Sequence, residues 1–277
     1  MAKGIGLIGN FKGKVGNMVG YKLSDSNTGN SQGIRVYQPI VKNPKTSAQA
    51  EQRAKMAPIN ATYRALKMII DRGNEGLPYG NKSRLAWLKK AFKPAKMPWF
   101  VKGAVINQPV LCELTRGSLP SLLKTAETDE NIKIVADVTT AATTTLGALS
   151  TALLAKYPFL KDGDQITLVG MEVVNDNLIT YVDSFVVDAA SAAAIPSFLS
   201  VSDGSVDYGR TEGELMAGCV ILSREGANGE HLRSTESLAQ MAGYGSAHTT
   251  PEAKTAAVES YMSSAAANSD WAEESIQ

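Results

Sequence analysis

The sequence has only two histidines, His231 and His248, and two cysteines, Cys112 and Cys219. A histidine-rich metal centre is therefore excluded. The cysteines sit in apolar, strand-like segments and read as buried thiols, with a single disulfide left open. Aromatic residues make up 6% of the chain against 44% hydrophobic residues, so the core is expected to be aliphatic and alanine-rich. No stretch approaches the roughly 18 apolar residues that span a bilayer. The opening MAKGIGLIGNFKGKVG lacks the apolar run of about 7–15 residues that a signal peptide carries. A cytoplasmic or virion-associated protein with no membrane partner is the expectation. His-Glu-x-x-His and Cys-x-x-Cys are missing. The chain reads as a non-enzyme with no cofactor and no metal.

What the sequence does have is a division of charge. Residues 1–102 hold 19 Lys+Arg against 4 Asp+Glu, and residues 103–277 hold 9 against 23. The nets of +15 and −14 together give the formal +1 of the whole chain. Such a split suggests a basic region that meets a polyanion and an acidic region that does not. The other reading is mutual neutralisation of the halves, within one molecule or between subunits.

The chain begins glycine-rich. Leu7, Phe11, Val15, Val19 and Tyr21 fall at odd positions among the glycines, which is strand alternation. A hairpin turning near Asn10–Gly13 is expected, with another short strand over residues 33–41. Thr46 and Gln49 then form a capping-box pattern at a helix start. That helix is expected to run to about Asp71 with a kink at Pro58. A second helix over about Lys82–Phe92 would turn Leu85, Leu88 and Phe92 inward and leave Lys82, Arg84, Lys89, Lys90 and Lys93 wet. From Ala104 onward the text reads as β. Strand candidates are Val105–Leu114, Asn131–Val138, Gln165–Val174, Leu178–Asp188 and Glu214–Ser223, with a hairpin turn at Asn175-Asp176-Asn177. A helix over about Thr144–Tyr157 interrupts them. Thr250-Pro251-Glu252 opens an alanine-rich helix to about Ala266. The fold class is thus α+β. A basic hairpin-plus-helices region (1–102) precedes a β-sandwich-like domain (103–243) of immunoglobulin-like size, and a helical, acidic tail (244–277) follows.

Two glycine motifs fail on context. Gly4-Ile5-Gly6-Leu7-Ile8-Gly9 matches a dinucleotide fingerprint, but it lacks the preceding strand and following helix such a site needs. Gly9 to Val15 approaches a phosphate-binding loop, one residue short and with Val15 where a hydroxyl is required. Glu172, Asp176 and Asp183 gather around the expected hairpin without a partner acid or base, and read as solvated strand ends. The basic region carries more chemistry. Lys12, Lys14, Arg35, Arg53, Lys55, Arg64, Lys67, Lys89, Lys90 and Lys93 are the candidate phosphate contacts. Phe11, Tyr21, Tyr37, Trp87, Phe92, Trp99 and Phe100 are interleaved with them. Cations with stacking aromatics are what binding to single-stranded nucleic acid uses.

Three stretches carry a resemblance: GNFKGKVGNMVGYKL followed by GIRVYQP, the helix start NPKTSAQAEQR, and, more loosely, GCVILSREGANGEHLRSTESL. Through Gly13, Lys14, Val15, Gly16, Pro44, Thr46, Gln49, Gln52 and Arg53 the chain resembles an uncharacterised group of bacterial and phage-associated proteins. Its members join a GKVG hairpin and a Pro-x-Thr-x-x-Gln…Gln-Arg helix to an immunoglobulin-like β domain. The resemblance implies a non-enzymatic phage-type structural or accessory protein. The leading expectation is that its basic region binds nucleic acid without sequence preference. The alternative is an assembly module whose basic and acidic halves pair between subunits, giving a homo-oligomer or docking on virion proteins.

Overall fold

The computed structural model describes residues 13–22, 32–37, 46–122, 131–141, 143–208, 214–227 and 229–266. Contacts divide the chain into two compact units, 1–45 and 46–277.

In the first unit β1 (Gly13–Val15), β2 (Met18–Lys22) and β3 (Gln32–Val36) form an antiparallel sheet in the order β1-β2-β3. The β1–β2 turn is Gly16–Asn17, so the turn lies three residues beyond the expected Asn10–Gly13, of which Asn10, Phe11 and Lys12 fall outside the described residues. Gly16 takes φ +55° there, a left-handed conformation that costs a side chain about 1–2 kcal/mol. Gly16→Val should loosen this hairpin by about that amount, read as faster hydrogen exchange at Val15 and Met18. Gly16→Asn, which tolerates the conformation, should keep most of the protection.

The second unit opens with α1 (Ser47–Ala65), α2 (Lys67–Ile70) and α3 (Asn81–Ala91). Thr46 caps α1, its hydroxyl accepting from the Gln49 N–H at 3.4 Å. The expected kink at Pro58 does not break the helix: α1 runs through it and ends at Leu66 instead. The Thr62 hydroxyl donates to the Pro58 carbonyl at 2.9 Å and accepts from the Val110 N–H at 2.9 Å, holding the helix against the next segment. Then come β4 (Glu113–Thr115), β5 (Lys133–Val135), α4 (Leu146–Lys156), β6 (Gln165–Val174), β7 (Asn177–Val186), β8 (Leu199–Ser202) and β9 (Ser205–Tyr208). The unit closes with β10 (Ala217–Glu225), β11 (His231–Arg233), β12 (Glu236–Ser237), β13 (Ala239–Gln240) and α5 (Pro251–Ala266). The expected strand Val105–Leu114 is mostly irregular. The Val110 N–H donates to the Thr62 hydroxyl and the Pro109 carbonyl accepts from the Tyr244 hydroxyl (3.1 Å), while Leu111, in a bridge to Lys96, and the short β4 pair with neighbouring backbone.

The central sheet runs β11-β10-β6-β7, with β13 also on β10. The β6–β7 hairpin turns at Asn175 and Asp176, both at positive φ (51° and 62°), as a two-residue turn between twisted strands requires. Alternation along β6 and β10 gives this sheet two buried faces. On one face Ile166, Leu168, Val220 and Leu222 pack with Leu149 and Leu153 of α4. Ile134, Val206 and Tyr208 of a second sheet, β5-β9-β8, complete that core. On the other, Val169, Met171, Cys219 and Ile221 pack with Ile59, Leu66, Trp87 and Ala91 of α1–α3. The boundary drawn at residue 102 therefore falls within a single core. A third cluster, Ala54, Trp99 and Ala257, seats α5 on α1, and the boundary at 243 likewise falls inside the unit. Both cysteines are buried and neither is in a disulfide. Burial pushes the Cys112 thiol up to about 12, which leaves it inert at neutral pH.

Candidate nucleic-acid interface

In the first unit, Lys14 pairs in register with Val19, and Val19 with Arg35. Residues directly opposite one another share a face of a sheet, so the two cations lie on the same side. Tyr37, two residues on, follows them, with the Lys14 ammonium 3.6 Å from its ring centroid. Lys12 lies outside the described residues.

In the second unit the structure sorts the remaining candidates by what they touch. Lys55 pairs with Glu51 at 2.8 Å and Lys67 with Asp71 at 3.2 Å, each within its own helical turn. Lys90 pairs with Glu113, the one carboxylate from 103–277 in an ion pair with the basic third among the described residues. Arg53 and Arg64 are exposed on α1, eleven residues and so about three turns apart. Lys89 and Lys93 are exposed at the end of α3 and have no ion pair among the described residues. Lys82, Leu85 and Lys89 form a stripe at spacings of three and four residues along its outer face, and Lys93 follows two residues past its end. Leu85 is 57% exposed, not inward as its spacing predicts. Ser83, Trp87 and Ala91 take the inner face instead. A cleft of about 380 Å³ opens beside the stripe, with Lys89, Lys90 and Lys93 at its rim and Leu111, Cys112 and Leu238 in its wall.

Most of the interleaved aromatics belong to the core. Trp87, Trp99 and Phe100 are buried, and Phe92 packs against the core from the edge. The side chains of Phe11 and Tyr21 lie outside the described residues. The Glu51 carboxylate, by contrast, holds Lys55 and Lys254 beside the Trp99 ring, 5.8 and 5.4 Å from its centroid, as a clamp between α1 and α5.

The exposed aromatic that the sequence reading passed over is Tyr79, 52% exposed in the loop between α2 and α3. The Arg72 guanidinium stands 5.7 Å from its ring centroid, and the His231 ring lies 6.2 Å away. Arg233 follows His231 on the same face of β11. Nearby, Arg84 stands 4.5 Å from the ring of Tyr63. No local pattern could reveal the pairing of Tyr79 with His231 and Arg233, because about 150 residues separate them and only the fold joins them.

Glu75 anchors the loop. Its carboxylate accepts from the Ser118 N–H (2.9 Å), the Ser118 hydroxyl (2.9 Å) and the Arg233 N–H (3.2 Å). Burial pushes its pKa up. The Ser118 and Arg233 donors and the Arg233 charge outweigh that and leave it below the ordinary value. A depressed folded pKa gives stability that is present above the unfolded-state value and is lost as pH falls through the folded one. Glu75→Gln should therefore cost stability at neutral pH. The difference from wild type should shrink from about pH 5 downward, as urea unfolding at several pH values would show.

The hairpin carboxylates have structural partners. The Tyr181 hydroxyl donates to Glu172 at 2.5 Å and the Tyr208 hydroxyl to Asp183 at 2.6 Å, the latter joining β9 to β7. Asp176 sits exposed in the turn. Among the described residues no cluster of His, Cys, Asp or Glu is placed to hold a metal ion. No helix among them is long and apolar enough to cross a membrane. Compared with family models, curated proteins and solved structures, the chain matches none.

Proposed function

We propose that this chain is a non-enzymatic, phage-type structural or accessory protein that holds single-stranded nucleic acid without sequence preference. The observation that carries this reading is the group Lys82 and Lys89 on α3 with Lys93 just past its end, solvated and free of ion pairs among the described residues. Phosphates approaching that face displace counterions, which drives association with any sequence. Lys14 and Arg35 offer a second cationic face in the first unit, with Tyr37 as a stacking surface. The two sheets facing one core, β11-β10-β6-β7 and β5-β9-β8, support a sandwich-like, immunoglobulin-like scaffold.

A second reading, self-assembly through opposite charge, has its own support. Residues 1–45 hold 7 Lys+Arg against 1 Asp+Glu, and residues 46–277 hold 21 against 26. Light scattering of the nucleic-acid-free protein, with and without added oligothymidylate, separates the two. A binder stays the same size until the strand is added and then forms a complex. An assembly module is oligomeric at low salt, and the strand, acting as a competing polyanion, takes it apart.

A further inference from the structure

The geometry points to a base-and-phosphate station around Tyr79, separate from the lysine stripe: a nucleotide base stacks on the Tyr79 ring while Arg72 and Arg233 hold its phosphate. The choice of a nucleic-acid ligand rests on the function proposed above; the station itself rests on what surrounds Tyr79.

The loop that carries Tyr79 is held at both ends. The Glu75 N–H donates to the Arg116 carbonyl at 2.8 Å, and the Gly80 N–H to the Asp71 carbonyl at 2.9 Å. Gly76 and Gly80, at φ +74° and +85°, give the chain the turns that leave Leu77 and Tyr79 in solvent. A ring presented by a pinned loop loses little freedom when a base covers it. Its flanks carry two guanidiniums and an imidazole. Arg72 comes from the helical end of the loop, while His231 and Arg233 come from one face of β11. Two carboxylates lie nearby: Glu75, whose oxygens accept from Ser118 and from the Arg233 backbone, and Glu225, opposite His231 in the β10–β11 register.

Arg72 and Arg233 stand close enough to repel, and the Glu75 charge offsets that only in part. Guanidinium forks match phosphate oxygens in a bidentate way, and a planar π face with an arginine beside it suits a base. The Gly117 backbone passes so close to the Arg233 carbonyl and the Glu75 carboxylate that a Cβ there has no room. The two halves of the station are therefore set at a fixed spacing.

The test uses the full chain and a labelled oligothymidylate of about twelve residues, titrated at several salt concentrations, with thymidine monophosphate, thymidine and inorganic phosphate as separate small probes. Tyr79→Leu should weaken strand binding about tenfold with an unchanged salt slope, because stacking releases no counterions. Tyr79→Phe should restore most of the affinity, which a misfolded loop would not allow. Arg233→Gln should lower the slope by about 0.7, one phosphate contact. Thymidine monophosphate should bind more tightly than either thymidine or inorganic phosphate. Wild-type affinity in both Tyr79→Leu and Arg233→Gln overturns the station while leaving a lysine-held strand intact. Equal binding of phosphate and the nucleotide overturns the stacking half. Binding of the mononucleotide without any binding of the strand keeps the station and removes the strand reading.

Discussion

Changing Lys82, Lys89 and Lys93 together to Glu is expected to weaken binding of a single strand by on the order of 100-fold at low salt. Lys82 and Lys89 share one face of α3 and Lys93 follows two residues past its end, all three with no ion pairs among the described residues. Each solvated contact is worth about 1 kcal/mol against a phosphate at hydrogen-bond range, and three such losses multiply to roughly that factor. The salt dependence should change with it. A single strand gives a slope of about 0.7 per phosphate contact, so three lost contacts remove about two from the slope of log affinity against log salt. Thermal unfolding should hardly move, because exposed charges away from buried features change stability little. A parallel change at Lys55, Lys67 and Lys90 is the control. Each of those already faces a carboxylate, so reversing them should cost less binding than reversing the stripe. Equal losses in the two triple variants would mean that net charge, and not the face of α3, governs association.

The largest effect on stability is expected at Asp164 and Arg224. Asp164 is 1% exposed, with the Arg224 side chain at 18%. The guanidinium spans both carboxylate oxygens, Nε to Oδ1 and Nη2 to Oδ2, each at 2.6 Å, and Nη2 also donates to the Phe159 carbonyl at 2.7 Å. The Lys161 N–H donates to Oδ2 at 2.8 Å. One carboxylate thus closes the turn that leads into β6 and ties it to β10. Removing either partner leaves a buried charge uncompensated, which costs about 3–5 kcal/mol. Total stabilities are about 5–15 kcal/mol, so Asp164→Ala or Arg224→Ala should remove a large share of the second unit's stability. Replacing both, as Asp164→Leu with Arg224→Met, should recover most of the loss. Urea unfolding of the two single variants and the double variant measures this. Additive losses would show that the pair does not act as one.

Local chemistry explains which parts of this fold the sequence made legible. The limits of β6 and β7, the cap of α4 at Thr145 and the start of α5 at Pro251 are all set by residues within a few positions. So is the turn at Asn175 and Asp176. Val105–Leu114 misled because an apolar run reads as a strand along its whole length, whereas here Pro109 and Val110 meet side chains from residue 244 and α1 and the far end pairs with other backbone. The change of character near residue 102 is a change of secondary structure within one core, since Trp87 and Cys219 share a cluster. Composition registers the change and cannot register the packing.

The site divides in the same way. The exposure of Lys82 and Lys89 follows from helical spacing. The neutralisation of Lys90 by Glu113 and the meeting of Arg72 with Arg233 depend on contacts between segments far apart in sequence. A fragment cut at residue 102 would expose the cluster that joins α1–α3 to the sheet, so the binding region is best studied in the whole chain.

The most direct measurement is the affinity of the full, nucleic-acid-free chain for an oligothymidylate across a range of salt concentrations, followed by fluorescence anisotropy. Log affinity should fall linearly with log salt, with a slope of at least about 2 in magnitude, the value for three phosphate contacts on a single strand. A random-sequence strand of the same length should bind within a few-fold. No binding at about 50 mM salt, or an affinity that salt leaves unchanged, would contradict the account.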